Sequence, residues 1–106
     1  MVLLVVTVAA CGGSAPEVPA GPDGAVDEVL VSGRDVWSGQ CANCHGVDGG
    51  GGRGPGLNDG RVVEVYPDAD DQIVVVAGGS GQMPAFGERL SDEEIRAVVR
   101  YTREVL

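Results

Sequence analysis

The stretch CANCH, residues 41–45, places two cysteines and the only histidine of the chain within five positions. Side chains three positions apart lie on the same side of a helix, and Cys-x-x-Cys-His is the attachment signature of a c-type haem. In such a site Cys41 and Cys44 form thioethers to one edge of the porphyrin, and the imidazole of His45 binds the iron. The motif therefore predicts one covalently attached haem c.

The interior of the fold also needs a large group of this kind. The chain has 106 residues, enough for one small domain. Only four of them are aromatic, whereas 18 are glycines that contribute no side chain. Small domains with so little apolar mass depend on disulfides, a metal or a large cofactor. A haem would fill the centre of this fold.

Other interpretations of the two cysteines fit the sequence less well. Most structural zinc sites need four ligands, and beyond Cys41, Cys44 and His45 the chain offers only the remote Cys11. A thioredoxin-like dithiol would follow a strand in a βαβ unit, and no apolar strand precedes Cys41. A plain disulfide between Cys41 and Cys44 stays open as an alternative, but it leaves His45 and the missing core unexplained.

Acidic residues dominate the charge of the chain. Sixteen aspartates and glutamates against seven basic residues, all of them arginine, give a formal net charge of −9. This balance argues against a nucleic-acid partner and provides no lysine-rich docking ring. The acidity serves either solubility or steering toward a basic partner.

Three segments follow one another along the chain. Residues 1–10, MVLLVVTVAA, are too short to span a bilayer and are typical of an export signal, although the charged residues expected ahead of such a run are missing. The string Val8-Ala9-Ala10-Cys11 resembles the lipobox of bacterial lipoproteins, which predicts a lipid on Cys11 that anchors the mature chain to the membrane. The alternatives are a plain cleaved signal with an incidental cysteine, or a buried apolar strand. Residues 11–29, rich in Gly, Ala, Pro and acids, predict a flexible tether. Residues 30–106 are the predicted folded domain, which would hold the haem.

Local patterns predict where the helices lie. The spacing of Val36, Trp37, Cys41 and Cys44 favours a helix that ends near the histidine, and the glycine-rich segment that follows it, residues 46–60, predicts a loop. Asp68 as a cap and Gly78-Gly79 as a stop predict a further short helix between them. A capping box, Ser91 with Glu94, predicts that the last helix runs to the C-terminus.

A second iron ligand is suggested by the one internal methionine. Met83 lies in GGSGQMPAFG, an irregular stretch between two predicted helices. Pro84 stiffens the backbone after it, and the glycines permit a close approach to a porphyrin. A methionine is more often a core residue, but here it coincides with a haem signature and a single histidine. We therefore expect His45 and Met83 to be the two axial ligands.

Residues 31–106 resemble the class I cytochrome c family. The matching positions are Gly33, Trp37, Cys41, Cys44, His45, Pro55, Leu57, Met83 and Tyr101. The resemblance implies an all-α fold, a small cytochrome c fold with three to four short helices and long loops wrapped around one covalent haem. It implies that Gly33 and Tyr101 mark the crossing of the first and last helices, and that Trp37 packs beside the haem.

The same resemblance implies further contacts to the cofactor. Leu57 would lie against the haem face, and the carbonyl of Pro55 would accept a hydrogen bond from the second ring nitrogen of His45. The residue that binds the propionates cannot be assigned in this way, although Arg53 is a candidate. Since the docking lysines of mitochondrial relatives are absent, partner identity does not carry over.

The expected function is one-electron transfer rather than catalysis. A His/Met-ligated haem leaves no position for a substrate, and a thioether ligand raises the potential. We expect an exported monomer that binds larger redox complexes transiently at the outer face of the cytoplasmic membrane. Two alternatives are a haem subunit fixed in a dehydrogenase or oxidase complex, and a gas-sensing haem protein if Met83 does not bind the iron.

Overall fold

A computed structural model describes residues 13–106, so the predicted export signal and Cys11 lie outside the described residues. The described part is helical, without a strand. Its elements are α1 (Glu28–Val36), a π-helical segment (Trp37–Cys41), α2 (Ala42–His45), α3 (Arg61–Val65), α4 (Ala69–Gly78) and α5 (Asp92–Glu104). None of these helices is long and apolar enough to cross a membrane. The architecture is the small all-α fold that the sequence predicts.

Helix α1 begins two residues before the predicted start of the domain. Oδ1 of Asp27 accepts from the backbone N–H groups of Val29 and Leu30, at 2.9 and 3.3 Å, which satisfies two of the free donors at a helix start. The helix then passes into the π-helical segment, in which the N–H of Ala42 reaches back five residues to the carbonyl of Trp37. Such segments are frequent at functional sites, and this one leads directly into the Cys-x-x-Cys-His motif.

The two later helices have the caps that the sequence predicts. Oδ1 of Asp68 accepts from the N–H of Asp70 at 2.9 Å at the start of α4. At the start of α5, Ser91 and Glu94 form both hydrogen bonds of the capping box, at 3.0 and 3.1 Å. The short α3 was not predicted, because five residues are too few to display a helical period.

Helices α1 and α5 cross at Gly33. A Cβ on Gly33 would lie 2.2 Å from the carbonyl oxygen of Ala97 and 2.9 Å from Cβ of Tyr101. Only glycine permits the two backbones to approach so closely. The expected crossing of Gly33 against Tyr101 is thus present, and the largest fully buried side chains, Trp37, Tyr101, Ile95 and Val99, lie on the helices that form it or on their direct continuation.

The start of the described chain, residues 13–18, forms a strap on this crossing. Ala15 is buried in the core. Arg34 donates to the carbonyl of Ala15 from both Nε, at 3.1 Å, and Nη2, at 2.8 Å, and the hydroxyl of Tyr101 donates to the carbonyl of Pro16 at 2.6 Å. Composition alone indicates a flexible coil here. The difference arises because partners far along the chain bind its backbone carbonyls.

Candidate cofactor site

A small crevice opens between the helices and the loops. It lies at the junction of the π-helical segment, α2, α4, α5 and the loop after α4. Its mostly apolar lining consists of Trp37, Cys41, His45, Leu57, Gln72, Val76, Met83, Val98, Val99 and Thr102. Five residues expected to contact a cofactor, namely Trp37, Cys41, His45, Leu57 and Met83, therefore meet at one place.

The imidazole of His45 is buried and fixed in orientation. Its Nδ1 donates to the carbonyl of Pro55 at 2.8 Å, which is the hydrogen bond that the resemblance implies. Since Nδ1 carries the proton in this arrangement, Nε2 keeps a free lone pair. Gly54 packs against the ring so closely that a Cβ there would lie 2.7 Å from Cε1 of His45. The histidine is thereby prepared to bind a metal through Nε2.

Trp37 supports this histidine. Its ring centroid lies 6.1 Å from that of His45 and 6.3 Å from that of Tyr101. Nε1 of Trp37 donates to the carbonyl of Val47 at 3.1 Å, so the same side chain also fixes the start of the glycine-rich loop. Leu57 lies at the end of that loop, where its N–H donates to the carbonyl of Gly49 at 2.7 Å.

The thiols of Cys41 and Cys44 are both free and half-buried. Burial, together with repulsion from Cys44, raises the pKa of Cys41 to about 11. Reactive dithiols of the thioredoxin type require a lowered pKa, so the structure argues against that alternative. It also shows no disulfide between the two cysteines. Both sulfurs therefore remain free to form thioethers.

A zinc site is not supported either. Across residues 13–106, no three His, Cys, Asp or Glu side chains converge in a way that could hold a metal ion. His45 and Met83 instead line the same mostly apolar crevice.

Met83 reaches the crevice from the loop between α4 and α5. The loop closes on itself through two hydrogen bonds: the N–H of Met83 donates to the carbonyl of Ser80 at 2.9 Å, and the N–H of Ser80 donates to the carbonyl of Met83 at 3.2 Å. The side chain is half-buried and packs against the core. The only histidine and the only internal methionine, 38 positions apart in sequence, thus line the same crevice.

Five lining residues were not predicted to lie at the site, namely Val76, Val98, Val99 and the polar pair Gln72 and Thr102. Gln72 and Thr102 are both buried, and Nε2 of Gln72 donates to Oγ1 of Thr102 at 2.8 Å. The signal in the sequence is the position of Gln72 at the head of the apolar run Ile73–Val76. Arg53, a candidate for binding propionates, is exposed in the glycine-rich loop and does not line the crevice.

These residues fit a haem. Two free thiols, one imidazole with an available Nε2 and one thioether are the groups that attach and ligate a c-type haem. Oδ1 of Asn58, beside Leu57, is the only buried side-chain oxygen or nitrogen in residues 13–106 without a hydrogen-bond partner, and Asn58 does not line the crevice.

The family model described as "Cytochrome C oxidase, cbb3-type, subunit III" matches residues 28–101 of the chain. The match begins with α1 and ends within α5, so it covers every residue of the crevice except Thr102.

Individual relatives and solved structures agree. The chain is 39% identical over 80 residues to chloroplastic cytochrome c6 of Chlamydomonas reinhardtii, a match that covers 68% of this chain and 51% of that protein. It is 31% identical over 99 residues to the cbb3-type cytochrome c oxidase subunit FixP of Sinorhizobium medicae, covering 83% of this chain and 34% of that subunit. The crystal structure of cytochrome c6C from Synechococcus sp. PCC 7002 superposes with a TM-score of 0.59 at 33% identity, over 69% of this chain and 92% of that chain.

Proposed function

Because the chain belongs to the cytochrome c family, we propose that it carries single electrons between larger redox complexes, with His45 and Met83 as the two axial ligands of one haem c. The cofactor is attached through Cys41 and Cys44, as is typical of the family. The observation that supports this proposal best is the placement of His45 and Met83 in one apolar crevice, with Nε2 of His45 left free by the bond to Pro55.

The haem, when bound, supplies a one-electron couple between ferric and ferrous iron. The chain contributes position and environment. Pro55 holds the ring of His45, and the side chains of Leu57, Val76 and Val98 form apolar walls of the crevice. The thioether of Met83 would favour the ferrous state relative to a second imidazole. If His45 and Met83 both hold the iron, no position on it would remain for a substrate.

Met83→Ala tests the ligand assignment. We expect this variant, exported with haem-maturation machinery, to lose the long-wavelength absorption band that sulfur–iron(III) ligation produces. It should also bind carbon monoxide and show a lower reduction potential. Gln82→Ala, at the exposed neighbouring position, serves as the control and should resemble the wild type. An unchanged spectrum in Met83→Ala would remove Met83 from the iron, and carbon monoxide binding by the wild type would favour the gas-sensing alternative.

The proposal places the domain outside the cytoplasm, anchored to the membrane through a lipid on Cys11. Its support is the apolar run of residues 1–10, the lipobox-like string before Cys11 and the covalent attachment of the haem. The mass of the mature protein tests this directly: acyl groups on Cys11 support the anchor, and an unmodified Cys11 contradicts it.

A haem subunit held permanently within an oxidoreductase complex is the second candidate. It is favoured by the match to a family model named for an oxidase subunit. Purification from mildly solubilised membranes separates the two candidates: a carrier elutes alone, whereas a subunit elutes with its complex.

A further inference from the structure

Two buried polar side chains form part of the crevice wall. Gln72 of α4 and Thr102 of α5 are each 5% exposed. Besides accepting from Gln72, Oγ1 of Thr102 donates to the carbonyl of Val99 at 2.8 Å. Two apolar side chains would fill this wall without the cost of burying polar groups. The polar pair therefore indicates a role beyond packing.

Arg103 determines which way the amide of Gln72 faces. Nη1 of Arg103 donates to Oε1 of Gln72 at 3.3 Å. A guanidinium group has donors only, so the amide atom that faces it must be the oxygen. The NH₂ group of Gln72 consequently points away from Arg103 and toward Thr102, whose side chain accepts its hydrogen bond. Arg103 itself is held by the carbonyls of Tyr66 and Pro67, at 2.6 and 3.0 Å.

The charge of Arg103 is not neutralised by a carboxylate within the described residues. The two ion pairs found there both belong to Arg100, which binds Asp27 and Glu104. Arg103 has only neutral oxygens as partners. The hydrogen bonds from Arg103 to Gln72, from Gln72 to Thr102 and from Thr102 to Val99 all run in one direction, so the positive NH₂ end of the Gln72 amide lies on the side of Thr102, and both residues line the crevice. Oriented dipoles act more strongly in such a low-dielectric space than in water.

We propose that this chain of hydrogen bonds, the Gln72 relay, raises the reduction potential of the haem bound in the crevice. The inference rests on the proposed function. Reduction adds one electron, supplied by a donor complex or by a redox mediator in solution, and the positive end of the amide stabilises the added negative charge. Arg103 is a positioning residue, because it acts by fixing the orientation of Gln72.

Gln72→Leu removes the relay with little change in volume. In a potentiometric titration followed by the visible spectrum, we expect the ratio of reduced to oxidised protein at a fixed potential to fall about tenfold, which is about 59 mV for a one-electron couple. Gln72→Glu should lower the ratio further than Gln72→Leu does, since a carboxylate adds negative charge. If Gln72 had only a structural role, the ratio would not be lower in Gln72→Glu than in Gln72→Leu. Gln40→Leu, at an exposed position, is the matched control and should leave the ratio unchanged.

Arg103 provides an independent test that leaves the crevice wall intact. Arg103→Gln should lower the ratio several-fold, while Arg96→Gln, the same charge change at an exposed position of the same helix, should have no effect. The double variant Gln72→Leu with Arg103→Gln should not differ from Gln72→Leu alone, because the arginine acts through the amide.

Two results would overturn the relay. An unchanged potential in Gln72→Leu with a normal low-spin spectrum would show that the amide does not act on the iron. If the effects of Gln72→Leu and Arg103→Gln on the potential add up in the double variant, then Arg103 acts on the haem by its charge and not through Gln72. Failure of the proposed function would be seen in a different measurement, because the wild-type protein itself would then lack the sulfur–iron absorption band.

Discussion

His45 and Met83 line the same crevice, but the chain holds them in different ways. On the histidine side, the ring of His45 donates a hydrogen bond to Pro55 and packs against Gly54 and Trp37. The backbone of His45 is fixed as well, because its carbonyl accepts from the N–H of Gly51 at 2.7 Å. On the methionine side the backbone of Met83 has two hydrogen bonds, both to Ser80, and the side chain is half-buried. His45 is fixed by several elements, whereas Met83 depends on a short loop. We infer that the loop around Met83 undergoes local opening before the segment around His45 does.

Trp37→Ala should cause the largest loss on the histidine side. It removes a fully buried ring, the contact with His45 and the hydrogen bond to Val47. Truncation of a buried aromatic costs about 3–5 kcal/mol, to be measured by chemical denaturation of the haem-loaded protein. Trp37→Phe, the control, keeps a ring and should lose about 1 kcal/mol from the missing hydrogen bond. Equal losses in the two variants would show that the ring itself contributes little.

Gly54→Ala should have an intermediate effect on the same side. Its Cβ would overlap the imidazole of His45, and overpacking of this kind costs about 1–3 kcal/mol. Gly39→Ala is the control, because a Cβ there would meet nothing within 4 Å. If Gly54→Ala is as stable as Gly39→Ala, then the ring of His45 can shift and the histidine side is less rigid than its contacts indicate.

Amide hydrogen exchange compares the two sides without mutation. The N–H groups of Ser80 and Met83 should exchange at least about tenfold faster than those of Gly51 and Gly54, since local opening follows the number of supporting contacts. Equal protection would mean that both sides open together and would contradict the proposed difference.

Much of the histidine side could be predicted from the sequence. The motif of residues 41–45 is local, so its chemistry follows from spacing alone, and the bond from His45 to Pro55 follows from the family resemblance. The caps at Asp68 and Ser91 were predictable for the same reason, because each acts on residues within three positions.

The remaining features depend on contacts between distant segments. Gln72 forms hydrogen bonds with Thr102, 30 positions away, and with Arg103, 31 positions away. No local sequence pattern predicts contacts between segments so far apart. The hydrogen bond from Tyr101 to Pro16 spans 85 positions, so the composition of residues 11–29, which include the strap, indicated only a coil. The π-helical segment was missed because the spacing of its apolar residues also fits an ordinary α-helix.

If Cys11 carries the proposed lipid, the burial of Ala15 would limit how far the domain can move from the membrane. Only four positions separate it from Cys11, a length that spans about 14 Å when fully extended. A domain attached by a lipid at that cysteine would stay next to the bilayer and could present the crevice over a restricted range of angles. The redox complexes that it could react with would then be those whose cofactors lie at a matching height and orientation above the lipid surface.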